Sequence, residues 1–582
     1  MSRRRLSIRT LFVAVLISVV TLSAATGGGL ATIKSQDLKE WLTYIASDEL
    51  EGRAIFTTGI GLAAAYIGDH LRTWGAKPAG TNGSYLQTVR VLGIKATNRS
   101  TITVEVGGET RTFPDGQGIT FAMVPDGEQV GQYVGIKRRF TLDRVEFAGY
   151  GIDAPAAKQT DYAGKDMRGA AVIWLGDRGP RTLDASLSGL LLNWRNRYAI
   201  EQMHAAAAIG PESRPAPERG GRGAPQAGRM GQAGQAGRTN QIPAADFTAV
   251  QRLDVPVAPN VRANDAFFEF LFSRAPAKYD ELKRKADAQD PLPSFKLDGV
   301  KITFNLDADY EVVRTQLAPN VVAIVEGSDP QLKNTYVAFG AHYDHVGYAE
   351  GEVVADANGT RRLGVPFGAL TKPGTENDRI WNGADDDGSG TVALMALARA
   401  FAQGPRPKRS LLFVWHVGEE RGLYGSRYFA DYPTVPINTI LAQLNIDMIG
   451  RNRDDKPSES NTLYLVGSDR ISTELHTVNR AANDALPKPL TLNYELNDPG
   501  DPEQLYSRSD HYSYASKGIP IIFFTTGLHQ DYHQPSDEVS KIEFDKMTRV
   551  VQLVFETGWR LANLDHEPIR DNLGARAGKG TR

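Results

Sequence analysis

The sequence contains no cysteine and no strong excess of either charge. Without cysteine the chain cannot form disulfides, a thiolate nucleophile, an iron–sulfur cluster or a Cys-type structural zinc site. Any bound transition metal must therefore be held by His, Asp and Glu. Lys and Arg total 66 against 68 for Asp and Glu, a net charge of −2. This balance gives no support for a nucleic-acid partner, for which a basic surplus is typical.

Long hydrophobic runs are also scarce. The main apolar run extends from Leu11 to Val20, interrupted by Ser18, after four arginines and before the small residues Ser23–Ala25. This order is typical of a secretory signal peptide, which we assign to residues 1–25. The run is shorter than the ~20 residues that span a bilayer, so a retained anchor is the weaker interpretation. We expect an exported protein, periplasmic or secreted, with no membrane attachment after signal cleavage.

The length of 582 residues predicts more than one folded domain. Apolar residues at helical spacing over 35–75 predict two amphipathic helices, and alternating residues from Thr101 predict β-strands. The segment 211–239 is rich in Gly, Ala, Pro, Gln and Arg and has no apolar period, which predicts a disordered loop. Its five arginines suggest RNA binding less than a solvated insertion, because it also has two glutamates and no aromatic residue.

Between residues 333 and 540, four apolar, β-rich runs are each followed by residues that can bind metals. Continuous apolar runs are typical of strands buried on both faces of a mostly parallel sheet. The carboxyl ends of such strands share one edge of the sheet, so the residues after them can converge. In chain order, the residues that follow the four runs are His342 and Asp344, then Glu419 and Glu420, then Asp447, and, after a loop, His533.

These residue types suit a zinc site. Imidazoles and carboxylates are the donors that zinc accepts, and two zinc ions ~3.5–4 Å apart need a shared carboxylate. One of Asp385–Asp387, which precede a predicted helix, could supply it. The pair Glu419 and Glu420 suggests one ligand and one general base. Asp344 could accept the second ring N–H of His342. Each motif alone is also compatible with a structural role, and only their common place at strand ends favours a metal site.

Five ordered motifs resemble one family. They are A-H-Y-D-H-V-G (341–347), N-G-A-D-D-D-G-S-G (382–390), G-E-E-R-G-L-Y-G-S (418–426), N-I-D-M-I-G (445–450) and Y-H-Q-P-S-D (532–537). Together they resemble the co-catalytic di-zinc aminopeptidase family, which includes bacterial leucyl aminopeptidases, glutamate carboxypeptidases and glutaminyl cyclases. The resemblance implies a three-layer α/β/α zinc-exopeptidase domain with a mostly parallel central sheet. It also implies peptide substrates and two zinc ions per chain.

The resemblance assigns a role to each matching residue. Asp386 stands three residues before Ser389, as in the family's D-x-x-S-G, and would be the ligand shared by both zinc ions. Glu419 would be the general base, taking a proton from water and passing it to the departing amine. The family pattern also implies a cis peptide between Asp386 and Asp387. The other ligands would be His342 and Asp447 for one zinc ion, and Glu420 and His533 for the other.

The resemblance also suggests a domain layout. The stretch around 145–175, with G-Y-G-I-D-A-P and D-Y-A-G-K-D-M-R-G-A-A-V-I-W, resembles the β-rich protease-associated domain that many members carry as an insertion. After the signal peptide, we therefore assign residues 32–140 to the N-terminal helices and strands of the peptidase domain, 141–300 to the protease-associated domain, 301–565 to the zinc peptidase domain, and 566–582 to a flexible tail.

Other functions are less well supported. A serine hydrolase would need G-x-S-x-G, and Asp387 replaces the first glycine before Ser389. The H-E-x-x-H of zincin peptidases is absent. The family also contains a receptor ectodomain that only binds, but here all five ligands and the base are present. An aminopeptidase is favoured, a carboxypeptidase or dipeptidase stays open, and a glutaminyl cyclase is less favoured. The sequence does not indicate the oligomeric state or the preferred side chain. His345 and His511 lie closer to the motifs, and each could line the cleft or have a structural role. His529 is near His533, which is not enough to predict a ligand, and His416 is expected in the core.

Overall fold

The structure is a computed structural model that describes residues 29–122, 128–130, 133–154, 158–183, 185–212, 245–250, 258–349, 353–355, 361–363, 378–498, 501 and 503–572. The predicted signal peptide and residues 213–239 of the predicted disordered loop lie outside the described residues. So do residues 573–582 of the predicted tail. Within the described ranges, no helix is both long and apolar enough to cross a bilayer.

The chain divides into two compact units. The first comprises Met1–Val89, Ala318–Asn493 and Ser509–Asp571, and the second comprises Arg90–Leu317, Tyr494–Arg508 and Asn572–Arg582. These limits differ from the predicted boundaries near 140 and 300. The long strand Val300–Val325 pairs in its first part with Thr101–Val106 and Tyr133–Leu142, which places those strands in the second unit. The assignment of residues 141–300 to a protease-associated domain stays a prediction.

A twisted α/β arrangement forms the first unit. Its strands, numbered in chain order, are β1 (Val300–Val325, of which residues 318–325 belong here), β2 (Tyr336–His342), β3 (Ser410–His416), β4 (Ile440–Ile446), β5 (Thr462–Val466), β6 (Thr491–Asn493) and β7 (Ile521–Thr525). Its helices are α1 (Ser35–Ile45), α2 (Thr58–Trp74), α3 (Gly390–Gln403), α4 (Tyr424–Asp431), α5 (Thr473–Asp484), α6 (His511–Ala515) and α7 (Phe544–Ala562). Short strands are Lys77–Pro78, Gly347–Tyr348, Val353–Ala355, Arg361–Leu363 and Ile380–Trp381.

The strand order in this unit is β1-β3-β2-β4-β7-β5-β6. The four apolar runs of the sequence form the adjacent strands β3, β2, β4 and β7, and every pair among these neighbours is parallel. β1 and β5 join this centre in antiparallel fashion. The register aligns His342 with His416. The predicted mostly parallel sheet, with its strand ends at one edge, is therefore confirmed.

Alternation of side chains along β3 shows that helices cover both faces of the sheet. Phe413 packs against Phe401 of α3, which stacks on Phe555 of α7 with ring centroids 4.2 Å apart. On the opposite face, the ring of His416 lies 2.9 Å from the hydroxyl of Tyr514 in α6. Helix α4 packs on α6, and α1 and α2 pack on α3. The layers helix, sheet and helix are those that the sequence predicted.

The second unit has its own six-stranded sheet. Its three inner pairings are parallel and its two outer pairings are antiparallel. The strands, in spatial order, are Ser294–Lys296, Val145–Ala148, Ala171–Ile173, Ala207–Pro211, Asn260–Ala263 and Ile119–Phe121. Further strands are Leu86–Asn98, Thr101–Val106, Glu109–Pro114, Glu128–Val130, Tyr133–Leu142, Asp153–Ala154, Gln159–Thr160 and Phe247–Ala249, and the helices are Ala185–Arg197, Asp265–Leu271 and Tyr279–Asp287.

Candidate metal centre

The predicted ligands converge at the carboxyl edge of the parallel strands. His342 is the last residue of β2, Asp447 follows β4 directly, and Glu420 lies in the turn after β3. His533 comes from the loop after β7, and Asp386 from the turn that precedes α3. The donor atoms of these residues belong to two groups that share Asp386.

Asp386 faces both groups, one with each carboxylate oxygen. Its Oδ1 lies 3.3 Å from Nε2 of His342, and its Oδ2 lies 3.0 Å from Nε2 of His533. Nε2 of His342 is also 3.7 Å from Oδ2 of Asp447. A carboxylate with its two oxygens directed at separate imidazoles has the geometry that a shared ligand requires.

Main-chain donors explain why Asp386, and not its neighbours, takes this place. The carboxylate of Asp385 accepts a hydrogen bond from the amide of Gly450 at 2.6 Å. Asp387 accepts from the amides of Gly390 and Met448. Both carboxylates are thus used to tie the turn to its surroundings, which leaves Asp386 to face the site. The peptide between Asp386 and Asp387 is cis.

Asp537, in the last of the five motifs, holds this turn from the other side. Its carboxylate accepts hydrogen bonds from the amides of Asp385 and Asp386, at 3.0–3.1 Å. The residue is fully buried. Asp537 lies within the motif Y-H-Q-P-S-D, and its role was not predicted from the sequence. The motif itself was the available signal.

Glu420 and His533 form the second group with Asp386, and this group contains a residue that sequence analysis did not assign. The Glu420 carboxylate lies 3.0 Å from Nε2 of His533. Nδ1 of His345 lies 2.9 Å from Oε1 of Glu420 and 3.8 Å from Oδ2 of Asp386. His345 lies three residues after His342, just beyond the end of β2. No spacing rule distinguishes it from a histidine of the core.

Neighbouring polar groups orient two of the ligands. Nδ1 of His342 donates to the main-chain carbonyl of Asp344 at 3.1 Å, whereas the Asp344 carboxylate is 3.8 Å away. That carboxylate instead accepts from the amide of Glu419 at 3.1 Å. Asp344 therefore supports His342 through its backbone and the Glu419 turn through its side chain. Asp447 accepts a 2.6 Å hydrogen bond from Ser509, which in turn accepts from Asn445.

Glu419 lies beside this group of donors and differs from Glu420 in its electrostatics. Desolvation and the charges of Glu420 and Asp447 raise the pKa of Glu419 well above its usual range, although His342 opposes the shift. The pKa of Glu420 is instead lowered, to about 2, because the attraction of His533 and hydrogen bonds from His345 and His533 outweigh its burial. The two neighbouring glutamates therefore differ in the direction of their pKa shifts.

Arg53 is buried beneath the site and was not identified from the sequence. Its guanidinium donates hydrogen bonds to four main-chain carbonyls and, among the described residues, to no carboxylate; the acceptors are Ile45, Tyr343, Asn382 and Gly383. Burial lowers the pKa of Arg53 to about 10, so it remains charged at neutral pH. It thereby joins the strand end that carries His342 to the turn that carries Asp386.

The donor set fits metal ions. Carboxylates crowded within a buried site repel each other unless cations neutralise them. In the described part of the chain, no Lys or Arg forms an ion pair with Asp386, Glu420 or Asp447, whose ion-pair partners are imidazoles. A further group, Asp455, His529 and Asp531, has ligand-like spacing, but Arg451 pairs with both aspartates and Lys541 pairs with Asp531. That group is a salt-bridge network.

The remaining histidines have structural contacts. His416 is fully buried in β3, as expected, with its Nδ1 3.3 Å from Asp510. His511 is buried and stacks on Phe523, with ring centroids 4.7 Å apart. His529 pairs with Asp385 at 3.3 Å and so supports the turn before α3.

Comparison with known proteins supports the motif resemblance. Residues 320–558, which contain all the predicted site residues, match the family described as Peptidase family M28. This segment is a peptidase family M28 domain. The predicted resemblance is thereby confirmed for the segment that carries the five motifs.

Individual proteins are also similar to parts of the chain. A probable zinc metalloprotease of Phaeosphaeria nodorum is 28% identical over 286 residues, which cover 44% of this chain and 54% of that protein. A probable leucine aminopeptidase of Arthroderma otae is 30% identical over 190 residues, covering 31% and 48%. The chain spans about half the length of the curated relatives it matches. A solved aminopeptidase from Aneurinibacillus sp. strain AM-1 is 17% identical, with a TM-score of 0.43 and coverage of 94% and 98%.

Substitution of Arg53 tests its role in assembling the M28 domain. Arg53→Met removes a donor from four buried carbonyls, of which Gly383 keeps a second donor in the amide of Gly388. The loss should cost about 3 kcal/mol or more. We expect a lower urea midpoint for the metal-free protein and weaker zinc binding. Arg72→Met is the control, because the Arg72 side chain is 71% exposed and pairs only with Asp69 on the surface. Equal shifts in the two variants would contradict the role of Arg53.

Zinc binding by the M28 domain should release protons. Burial opposes protonation of His342 and His533, but the carboxylates around them outweigh it and raise the pKa of both imidazoles well above the usual value. In the metal-free protein both rings are therefore positively charged imidazolium groups at neutral pH. Zinc binds the neutral ring, so each imidazole must lose one proton when zinc binds. We expect the apparent zinc affinity to rise with pH, and the calorimetric heat at pH 7 to depend on the buffer's ionisation enthalpy. Heats that are the same in all buffers would argue against this protonation.

Proposed function

We propose that the protein is a zinc-dependent exopeptidase, and specifically an aminopeptidase that releases N-terminal residues from peptides. The observation that carries this proposal is the placement of Asp386 between two imidazole-containing groups, with one oxygen towards each. Three of the groups' residues come from the ends of adjacent parallel strands, as an active site of an open α/β sheet requires.

The distances support the ligand assignment that the motif resemblance implies. His342, Asp386 and Asp447 would hold one zinc ion, and Asp386, Glu420 and His533 would hold the other. When bound, zinc lowers the pKa of water and polarises a scissile carbonyl. Glu419 would take the proton from the attacking water and deliver it to the departing amine. The hydrogen bond from its amide to Asp344 fixes the position of the Glu419 backbone.

The relatives' names favour the amino-terminal specificity, because a probable leucine aminopeptidase and a leucine aminopeptidase are among the proteins with similar sequences. The sequence-based alternatives are a carboxypeptidase or a dipeptidase with the same metal chemistry. The proposed setting is outside the cytoplasm, supported by the signal-like residues 1–25.

Hydrolysis of a panel of aminoacyl reporters tests the activity. We expect the purified protein to release free N-terminal residues, to lose this activity with a chelator and to regain it with zinc. The same protein would be incubated with N-acetylated reporters as the matched control, which an aminopeptidase leaves intact. If the protein binds two zinc ions but removes residues only from the free C-terminus of peptides, it is a carboxypeptidase and not an aminopeptidase. Absence of both zinc and activity would overturn the proposed enzyme.

Substitutions separate metal binding from proton transfer. Glu419→Ala should retain two zinc ions and lower kcat by about 10²–10⁴-fold, because a general base is removed. Asp386→Ala should lose zinc as well as activity, since both groups lose their shared ligand. Glu281→Ala, on the exposed face of a helix where Glu281 pairs with Lys285, is the control. Zinc content by atomic absorption and kcat are measured for each variant. Turnover that persists in Glu419→Ala would contradict the role of Glu419.

A further inference from the structure

The two donor groups that share Asp386 are unequal in size. One consists of His342, Asp386 and Asp447, and the other contains four residues, because His345 joins Asp386, Glu420 and His533. In each group the donor atoms all lie within 4.8 Å of one another. His345 is the member of the larger group that the motif resemblance does not assign.

The ring of His345 is directed into this group and held there. The residue is buried, with 1% of its surface exposed. Its amide donates to the carbonyl of Arg53 at 3.2 Å, which fixes the backbone. Gly383 packs against the ring so closely that a Cβ there would lie 2.5 Å from Cδ2 of His345. Gly383, with φ of 55°, is therefore required both for its backbone conformation and for the space that the ring occupies.

The position of Nδ1 favours the metal-binding role. Nδ1 lies 2.9 Å from Glu420 and 3.8 Å from Asp386, and the buried Nε2 has no hydrogen-bond partner among the described residues. Nδ1 of His345 therefore faces the same point as the carboxylates of Glu420 and Asp386 and the imidazole of His533. The ring centroids of His345 and His533 are 5.6 Å apart. The two donor groups share no residue other than Asp386, so this nitrogen adds to one group alone.

We infer that His345 is an additional metal-binding residue, with Nδ1 as a donor beside Asp386, Glu420 and His533. This inference rests on the proposed zinc-dependent function and deepens it. Four protein donors satisfy the tetrahedral coordination of zinc, whereas three leave a position open for water or substrate. The larger group is therefore the tighter, first-filled position, and the group of His342, Asp386 and Asp447 is the weaker position with room for the reacting molecule.

The alternative role for His345 is to orient Glu420 by a hydrogen bond from Nδ1–H. Two variants distinguish the roles. His345→Asn can place an amide N–H near the position of Nδ1 and so can keep a hydrogen bond to Glu420, but it lacks the imidazole lone pair. His345→Ala removes both. His70→Asn is the matched control, because it alters a histidine of α2 that packs against Trp41 of α1 and against Tyr66 and Trp74 of α2 itself.

The test is titration of the metal-free full-length protein with Co²⁺, followed by visible absorption and by competition with a chelator. Circular dichroism establishes that each variant is folded. We expect two binding steps of unequal affinity in the unaltered protein and in His70→Asn. His345→Asn and His345→Ala should both weaken the tighter step by about tenfold or more, and change its absorption band.

The outcomes separate this inference from the proposed function. If His345→Asn binds Co²⁺ like the unaltered protein while His345→Ala does not, His345 only orients Glu420 and the inference is wrong. Two unaltered steps in both variants would also overturn it and would leave the zinc-dependent function standing. If the unaltered protein binds no Co²⁺ and no Zn²⁺, both the inference and the proposed function fail.

Discussion

The structure depends on a group of buried carboxylates and imidazoles that lie close together at one edge of the parallel strands. Such a group is unfavourable unless cations or hydrogen-bond donors satisfy it. The chain supplies main-chain amides to Asp385, Asp387 and Asp537, and these fix the turn before α3. Asp386, the shared member, is left to face the imidazoles. The hydrogen bonds of the surrounding loops hold that one carboxylate in place.

Arg53 provides the complementary constraint. Within the described residues its guanidinium donates only to carbonyls, and it therefore holds segments of backbone together without pairing with any carboxylate of the predicted ligands. A lysine or arginine paired directly with Asp386 or Glu420 would compete with a metal ion for the same oxygens. The fold thus separates two tasks: a buried guanidinium organises the backbone, and the imidazoles and carboxylates remain for the metal ions. The unequal number of donors around Asp386 then allows the two positions to differ.

Much of this could be predicted from the sequence, because the signals were local. Four apolar runs predicted adjacent parallel strands, and the residues after each run predicted which side chains converge. His345 lies inside the first motif, three residues after His342, but its role depends on the direction of its ring, which Gly383 and the Arg53 carbonyl determine. Arg53 is separated by about 290 residues from the carbonyl of Tyr343 that it binds, so no spacing rule connects them. The limits of the second unit depend on the pairing of one long strand, which composition does not encode.

The most direct test of the account is a crystal structure of the zinc-loaded protein with anomalous data collected on both sides of the zinc edge. The account predicts two zinc peaks about 3.5–4 Å apart, one on each side of the Asp386 carboxylate. The peak nearer His533 should also contact Nδ1 of His345, and the peak nearer His342 should contact Asp447. A single zinc peak, or two peaks that do not share Asp386, would contradict the central claim that this carboxylate organises a two-metal site.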